Sequence, residues 1–81
     1  MTKQEVKNTI EELCRDIFRN ANLVLEDSMT AQDVKGWDSL TNLQLMSEIE
    51  DEFDITFGLN EVNNFKNVGD LIESVFNHVN E

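Results

Sequence analysis

An Asp-Ser pair in the middle of the chain is the part of this sequence that most clearly offers chemistry. Asp38 and Ser39 follow a Gly-Trp dipeptide, and after Leu40 apolar residues recur at helical spacing as far as Phe53. Asp and Ser are favoured at helix starts, because a side-chain oxygen there accepts a hydrogen bond from a backbone N–H that the helix leaves unpaired. The pair therefore predicts the start of a helix. It offers either a cap for that helix or a hydroxyl at its tip that a modifying enzyme can reach.

Other chemistries lack their necessary partners in this sequence. A serine hydrolase needs a base and an oxyanion site, but no Gly-x-Ser-x-Gly is present and the single histidine, His78, belongs to a different predicted helix. The acidic run at 48–52 lies within a predicted helix, which cannot wrap an ion as an EF-hand loop does. No Cys/His cluster matches a zinc site, and no glycine-rich loop matches a phosphate cradle. The sequence therefore predicts neither catalytic residues nor a metal site.

Size and composition favour a small helical protein. With 81 residues, no proline and three glycines, the chain is predicted to be a single all-helical domain spanning 1–81. A single cysteine, Cys14, excludes an internal disulfide framework and is expected to be a small buried hydrophobe. No apolar signal region follows Met1, and no apolar run is long enough to cross a membrane. We therefore expect a cytoplasmic monomer without membrane insertion.

Negative charge is concentrated in the middle of the chain. The net charge is −11 at pH 7, and residues 26–54 carry nine acidic side chains against the single base Lys35, whereas residues 1–25 are balanced. Such a field repels nucleic acid and anionic membranes and steers basic protein surfaces toward it. We expect protein partners with basic docking surfaces, although a merely solvated acidic face has the same composition.

The spacing of apolar residues predicts three main amphipathic helices and one short one. Thr2 and Glu5 fit a capping box for the first helix, Asn60 is the expected cap of the short helix, and Asn67 caps the last. His78 is expected at the surface. The stripe of the first helix comprises Val6, Ile10, Leu13, Cys14, Ile17 and Phe18, and that of the last helix Val68, Leu71, Ile72, Val75, Phe76 and Val79.

A long connection at 20–37 separates the first two helices. Residues 30–33 could make one helical turn, and Trp37 is interpreted as a packing anchor beside Ser39. Residues 23–25 (Leu-Val-Leu) are predicted to hold the connection against the core. Connections of this length are uncommon in compact domains and are usually functional.

The helix that follows Ser39 has one apolar face and one polar face. At about 100° per residue, an apolar face is predicted from Leu43, Leu45, Met46, Ile49 and Phe53. Leu40 falls on the opposite side, with Gln44, Ser47, Glu48 and Asp51. An apolar residue at the start of a polar stripe is a candidate for contact with a partner.

These residues carry a resemblance to a known family. Gly-Trp-Asp-Ser-Leu at 36–40, followed by Thr-Asn-Leu-Gln-Leu at 41–45 and by Glu-Phe-Asp-Ile at 52–55, resembles the acyl carrier protein family. The stretch 66–72 resembles the start of that family's last helix, and the likeness is densest over 29–76. It implies an all-α, four-helix acyl-carrier-like bundle with three main helices, one short helix and a long first loop.

The resemblance also implies a function. In this family the serine of the motif carries a 4'-phosphopantetheine arm taken from coenzyme A, which would make Ser39 the covalent attachment site and Asp38 a recognition and capping neighbour. Because the thiol of the arm holds acyl groups as thioesters, the protein would be a carrier in fatty acid or polyketide biosynthesis and not an enzyme. A phosphodiester on Ser39 would lie near the positive end of a helix, which stabilises an anion.

Family partners grip the outward face of this helix. The resemblance therefore implies that a phosphopantetheinyl transferase and acyl-loading or acyl-transferring enzymes contact a surface made of Leu40, Gln44, Ser47, Glu48 and Asp51. Here Thr41 and Gln44 stand where many members have acids, so electrostatic contact should shift toward Glu48, Asp51 and Asp38.

Two alternatives stay open at this level. A small acidic helical interaction module, in which Ser39 is merely structural, has the same composition and periodicity. Within the family, a carrier for a short acyl or aminoacyl group is compatible with Gly-Trp-Asp-Ser, whereas the absence of Gly-Gly-x-Ser disfavours the peptidyl carrier class.

Overall fold

The architecture is all-α over the residues that the structure, a computed structural model, describes, which are 1–58 and 60–80. Helix α1 spans Lys3–Ile17, α2 spans Ser39–Phe53 and α3 spans Val68–Val79. Single 3-10 turns at Ala31–Asp33 and Val62–Asn64 lie in the two connections. The predicted all-α bundle with three main helices and a long first loop is confirmed, and the short helix takes the form of the 62–64 turn.

Helix ends are set by side-chain caps, as the sequence predicted for α1 and α3. Thr2 and Glu5 form the capping box of α1, and the Asn67 side chain accepts from the backbone N–H of Asp70 at the start of α3. The prediction of Asn60 as a cap was wrong, because Glu61 occupies the position before the 62–64 turn and makes no side-chain cap bond there.

The core lies where α2 and α3 pack against α1. Its buried apolar side chains come from all three helices and from both connections. They are Val6, Ile10, Cys14, Leu23, Leu25, Val34, Leu45, Met46, Ile49, Phe57, Val68, Leu71, Ile72 and Val75.

The long first connection is fastened to α1 and α3 by hydrogen bonds. Glu11 on α1 accepts from the backbone N–H of Leu25 at 2.8 Å, and Arg15 donates to the carbonyl of Leu23 at 2.8 Å. The first backbone N–H groups of α3, from Val68 and Gly69, donate to carbonyls of residues 29 and 27 of the same connection. The loop is thereby held in a fixed path that ends at the start of α2.

One residue of this connection departs from the prediction. Leu23 and Leu25 are 8% and 1% exposed, but Val24 is 61% exposed. Leu23 and Leu25 are buried on either side of Val24, and the residue between them faces the solvent.

Candidate functional site

Ser39 is the first residue of α2, and Asp38 is the cap of that helix. The Asp38 carboxylate accepts from the backbone N–H of Thr41 at 3.0 Å, and the Thr41 hydroxyl accepts from the backbone N–H of Asp38 at 2.9 Å. The Thr41 hydroxyl also donates to the carbonyl of Gly36 at 2.7 Å, which ties the helix to the turn before it. The bond from the Thr41 backbone lowers the pKa of Asp38 below its usual range, with smaller contributions from the Thr41 hydroxyl and the Leu40 backbone. Asp38 is therefore held as a carboxylate.

The Ser39 side chain is exposed, as expected for a hydroxyl at a helix tip. It makes no side-chain hydrogen bond to residues 1–58 or 60–80, because the capping role falls to Asp38 and Thr41. Another protein can therefore reach the Ser39 hydroxyl and form an ester on it. The aligned peptide dipoles of the 15-residue helix place partial positive charge beside it.

Trp37 forms a fixed wall next to Ser39. Its ring stacks on Phe18, just after α1, with centroids 5.2 Å apart and planes 29° from parallel. Its indole Nε1–H donates to Oδ1 of Asn42 at 2.9 Å. The turn that delivers Trp37 to this position includes Gly36 at φ +91°, a left-handed conformation that favours glycine. The predicted packing anchor is confirmed, and it also links α1 to α2.

A cavity of about 100 Å³ opens beside this wall, between the first connection, α2 and the segment leading into α3. Trp37 and Asn42 line this cavity, and both are close to Ser39 in the sequence. Its apolar lining includes Met29, Met46, Phe65 and Leu71. The size of this void depends on how far apart three chain segments come to rest, which the spacing of residues in the sequence does not determine.

The outward face of α2 carries more apolar surface than predicted. Leu40 is 76% exposed as expected, and Ser47, Gln44 and Asp51 are exposed with it. Glu48 is half-buried and accepts from the Gln44 amide at 3.2 Å.

Leu43 was wrongly predicted to be part of the core. It is 67% exposed, because it lies about 105° around the helix from the centre of the face formed by Leu45, Met46, Ile49 and Phe53, counting about 100° per residue. Leu40 and Leu43 therefore present two large apolar side chains to solvent in the first turns of α2.

A polar cluster that sequence reasoning missed lies at the far end of α3. The carboxylate of Glu61 accepts from the hydroxyl of Ser74 and from the backbone N–H of Gly58, and it pairs with Nε2 of His78 at 2.9 Å. The His78 ring packs edge to face against the Phe57 ring, with the ring centroids 5.8 Å apart. The prediction of a surface histidine was wrong, since the side chain is 21% exposed. Burial opposes the charge on Glu61, but the bonds from Ser74, Gly58 and His78 outweigh it and lower the pKa of this carboxyl.

The part of the chain that the structure describes was also searched for metal-binding groups and for helices that could cross a membrane. No group of three or more His, Cys, Asp or Glu side chains is placed to hold a metal ion among residues 1–58 and 60–80. Over the same ranges no helix has the length and apolar character needed to cross a membrane.

The chain is similar to known proteins over most of its length. A family model described as "Phosphopantetheine attachment site" matches residues 5–75. The acyl carrier protein of Exiguobacterium sibiricum is 27% identical over 75 residues, covering 93% of this chain and 95% of that protein.

Two solved structures are also similar. The holo acyl carrier protein of Geobacter metallireducens superposes with a TM-score of 0.86 at 31% identity, covering 93% of this chain and 86% of that one. A putative acyl carrier protein of Mycobacterium tuberculosis superposes with a TM-score of 0.78 at 34% identity, covering 88% and 95% of the two chains. The chain belongs to the acyl carrier protein family. It is a carrier of acyl intermediates that uses a 4'-phosphopantetheine arm.

Proposed function

We propose that Ser39 is the attachment site of the 4'-phosphopantetheine arm. The observation that carries this assignment is the exposed Ser39 side chain at the first position of α2, left without a hydrogen-bond partner among the described residues because Asp38 and Thr41 cap the helix. The residues present fit the group. An ester at this position projects into solvent, and its phosphate lies near the N–H groups of the first helical turn.

Each neighbour has a separate task in this proposal. Asp38 fixes the geometry of the helix start and offers a carboxylate to a modifying enzyme. Trp37, held by Phe18, keeps the preceding turn in place. When bound, the arm supplies a thiol that holds acyl groups as thioesters, and the protein contributes delivery and recognition. No residue of the chain is assigned a catalytic role, so we propose that residues 1–81 form one carrier domain that is not itself an enzyme.

The partner surface of this proposal is the outward face of α2. Leu40 supplies the apolar contact, and the missed Leu43 adds to it, because both side chains are mostly in water in the free protein. Gln44 and Ser47 supply polar contacts. Glu48 and Asp51 attract basic side chains about two and a half to three helical turns beyond Ser39, since the first turn of α2 has no acidic residue. We expect a phosphopantetheinyl transferase and acyl-loading or acyl-transferring enzymes to dock here, on a cytoplasmic monomer.

The experiment is a modification assay that compares two exposed serines. The purified protein is incubated with coenzyme A and a broad-specificity phosphopantetheinyl transferase, and its intact mass is measured. Wild type and Ser28→Ala, a change on the first connection outside the proposed partner surface, should each gain one phosphopantetheine, whereas Ser39→Ala should gain none. No gain by the wild type under conditions that modify another carrier protein would favour an interaction module with a structural Ser39.

A further inference from the structure

The C-terminal end of α1 and the turn before Ser39 lie against each other. Gly36 approaches α1 so closely that a Cβ on it would lie 3.9 Å from the Cβ of Phe18 and 4.0 Å from the Phe18 carbonyl oxygen. The carbonyl of Gly36 accepts from the hydroxyl of Thr41 at 2.7 Å, within the first turns of α2. Gly36 therefore joins the end of α1 to the helix tip at which Ser39 lies.

Each of the two chain segments in this contact supplies a cation. Arg19 is the residue after Phe18, and Lys35 is the residue before Gly36. Because consecutive Cα atoms are about 3.8 Å apart, the backbones of both cationic residues lie beside the contact. Both side chains are exposed. Two positive charges thus flank the turn before Ser39, in a chain of net charge −11.

Neither cation is used by an ion pair within the described part of the chain. The ion pairs among residues 1–58 and 60–80 use Lys3, Lys7, Arg15 and His78. Over the same ranges no carboxylate oxygen lies within 4.0 Å of the charged nitrogens of Arg19 or Lys35. Glu12 and Asp16 border the same shallow surface depression as Arg19 but do not pair with it.

Lys66 differs from these two cations in its attachment. It is also exposed and without such a partner among the described residues, but it precedes α3. The first N–H of that helix, from Val68, donates to the carbonyl of Met29, ten positions before Ser39. Arg19 and Lys35 are the cations whose neighbours contact the turn next to the serine.

Arg19 has a backbone conformation that glycine usually supplies. Its φ is +54°, in the left-handed region, and the backbone N–H of Asn20 closes the helix end by donating to the carbonyl of Arg15 at 3.0 Å. Glycine is common at such a helix end, because a Cβ makes this conformation unfavourable. An arginine here indicates a role for the side chain that backbone preference does not explain.

The phosphodiester of the arm is the anion that fits this pair of cations. On Ser39 it would add a negative charge next to the Asp38 carboxylate, in a stretch, 26–54, that already carries nine acidic side chains. A nearby cation favours the charged form of such a group, and the guanidinium of arginine donates paired hydrogen bonds to phosphate oxygens. An acidic protein surface fits less well, because the same acidic stretch would repel it.

We propose that Arg19 and Lys35 bind the phosphate oxygens of the arm on Ser39 and so position the arm where it leaves the protein. This inference rests on the proposed function, because it places that phosphate on Ser39. Both are positioning residues, and no covalent step is assigned to them.

The first test observes the arginine side chain directly. The protein is labelled with ¹⁵N, and its Nε–H resonances are recorded before and after a transferase attaches the arm, with intact mass verifying the product. The sequence has two arginines, and Arg15 is the internal reference because its Nε–H already donates to the carbonyl of Leu23. The Arg19 resonance should shift on modification, and the Arg15 resonance should not. Equal behaviour of the two resonances would overturn the inference.

Coenzyme A carries phosphates of its own, so one arm of this test addresses it. Free coenzyme A is added to the Ser39→Ala protein at the concentration of the protein, where no arm can be attached to position 39. The Arg19 resonance should then stay in place. A shift as large as that caused by modification of the wild type would mean that the pair binds the free cofactor, and the proposed role toward the attached arm would be wrong.

The second test is a thermodynamic cycle. Wild type, Arg19→Gln and Lys35→Gln are unfolded in urea at low salt, each in the unmodified and in the holo form. A purely structural effect of a substitution appears in both forms and cancels in the double difference. Each variant should lower the folding equilibrium constant of the holo form roughly 2- to 5-fold more than that of the unmodified form, the range of exposed ion pairs. The difference should vanish at about 1 M salt.

Two further variants control the cycle. Lys3→Gln removes a cation at the opposite end of α1 and should affect both forms equally. Lys35→Arg keeps the charge and should behave as the wild type. Equal losses in the two forms for Arg19→Gln and Lys35→Gln, or an equally large holo-specific loss for Lys3→Gln, would overturn the inference without touching the assignment of Ser39. Failure of the wild type to accept the arm would overturn both.

Discussion

Asp38 and Thr41 hold each other across the first turn of α2. The backbone N–H of Thr41 donates to the Asp38 carboxylate at 3.0 Å, and the backbone N–H of Asp38 donates to the Thr41 hydroxyl at 2.9 Å. Ser39 lies between them in sequence and takes no part in these bonds. Two residues thus perform the capping that a serine at a helix start often performs, and the serine hydroxyl is left available for modification.

This division of roles predicts different effects on stability at positions 38, 39 and 41. Asp38→Ala and Thr41→Val should each lower the free energy of unfolding by about 1 kcal/mol, because each breaks the reciprocal cap. In a domain of this size that corresponds to a fall in Tm of roughly 4–8 °C. The double variant should lose less than the sum, since the two bonds join the same two residues and each holds the geometry that the other needs. Thermal unfolding measures all three.

The control for this prediction is Ser39→Ala. It should change the free energy of unfolding by no more than about 0.5 kcal/mol, as is usual for an exposed side chain without a structural bond. A loss as large as that of Asp38→Ala would mean that the serine is part of the cap.

The lowered pKa of Asp38 predicts how the cap responds to acid. A carboxyl whose pKa is lower in the folded than in the unfolded state stabilises the fold above the unfolded-state pKa, and this contribution is lost as the pH falls through the folded-state pKa. Asp38→Asn keeps a capping oxygen but does not titrate there. The stability of wild type minus that of Asp38→Asn should therefore be constant at neutral pH and fall below about pH 4, near the ordinary pKa of aspartate.

Urea unfolding of both proteins between pH 3 and pH 7 measures this difference. Subtracting the variant removes the acid response of the other carboxylates, which is large in a chain of net charge −11. A stability difference that grows as the pH falls would contradict a lowered pKa for Asp38 in the folded protein.

The hydrogen-bonded cluster around Glu61 predicts that replacing Glu61 lowers the free energy of unfolding more than replacing Glu73 does. Glu61→Ala removes the acceptor of Ser74, Gly58 and His78 in a half-buried setting and should cost about 1–2 kcal/mol. Glu73→Ala removes only the exposed ion pair with Lys3 and should cost less than about 0.5 kcal/mol. Glu61→Gln should fall between Glu61→Ala and the wild type, because its side-chain oxygen still accepts hydrogen bonds. Equal losses for the two alanine variants would show that the cluster adds nothing to stability.

The elements of this fold were predictable where local signals agree. The capping box at Thr2, the cap at Asn67 and the apolar stripes of α1 and α3 follow from residue type and helical spacing alone. The start of α2 was predicted for the same reason, although its cap uses Thr41 where the usual box has Glu or Gln. These features depend on local hydrogen bonding and helical spacing, so the sequence alone is enough to predict them.

Features that depend on tertiary neighbours were not predictable. Leu43 lies at the border of the apolar face of α2, about 105° from its centre, and how far α1 and α3 extend over that face determines whether such a border residue is covered. Glu61 and His78 are 17 positions apart, and no pattern of spacing links them. The bond from Trp37 to Asn42 and the cavity behind it arise from the meeting of a loop with two helices. The candidate serine was identifiable from the sequence, but the shape of its surroundings was not.

The exposed leucines of α2 predict effects on recognition without effects on stability. Leu40 and Leu43 are 76% and 67% exposed, so truncating them removes little buried surface from the free protein. If a transferase covers them on docking, Leu40→Ala and Leu43→Ala should each lower the kcat/KM of modification about tenfold, the effect of losing one apolar anchor. Val24→Ala is the matched control, because Val24 is 61% exposed and belongs to the first connection, not to α2. An equal effect of Val24→Ala, or a fall in Tm for either leucine variant, would contradict a docking role.

The thiol of Cys14 is predicted to stay out of the chemistry of the arm. Cys14 is fully buried in α1, and this burial, with a smaller contribution from the charge of Glu11, raises the pKa of the thiol to about 12. Its thiolate fraction at pH 8 is therefore about a thousandfold below that of an ordinary cysteine, and only the thiolate reacts. With a disulfide reagent at pH 8, the unmodified native protein should show no fast thiol, and the holo protein should show one. Cys14→Ala in the holo form should keep that fast phase unchanged, whereas a fast phase in the unmodified wild type would mean that Cys14 competes with the arm for acyl groups.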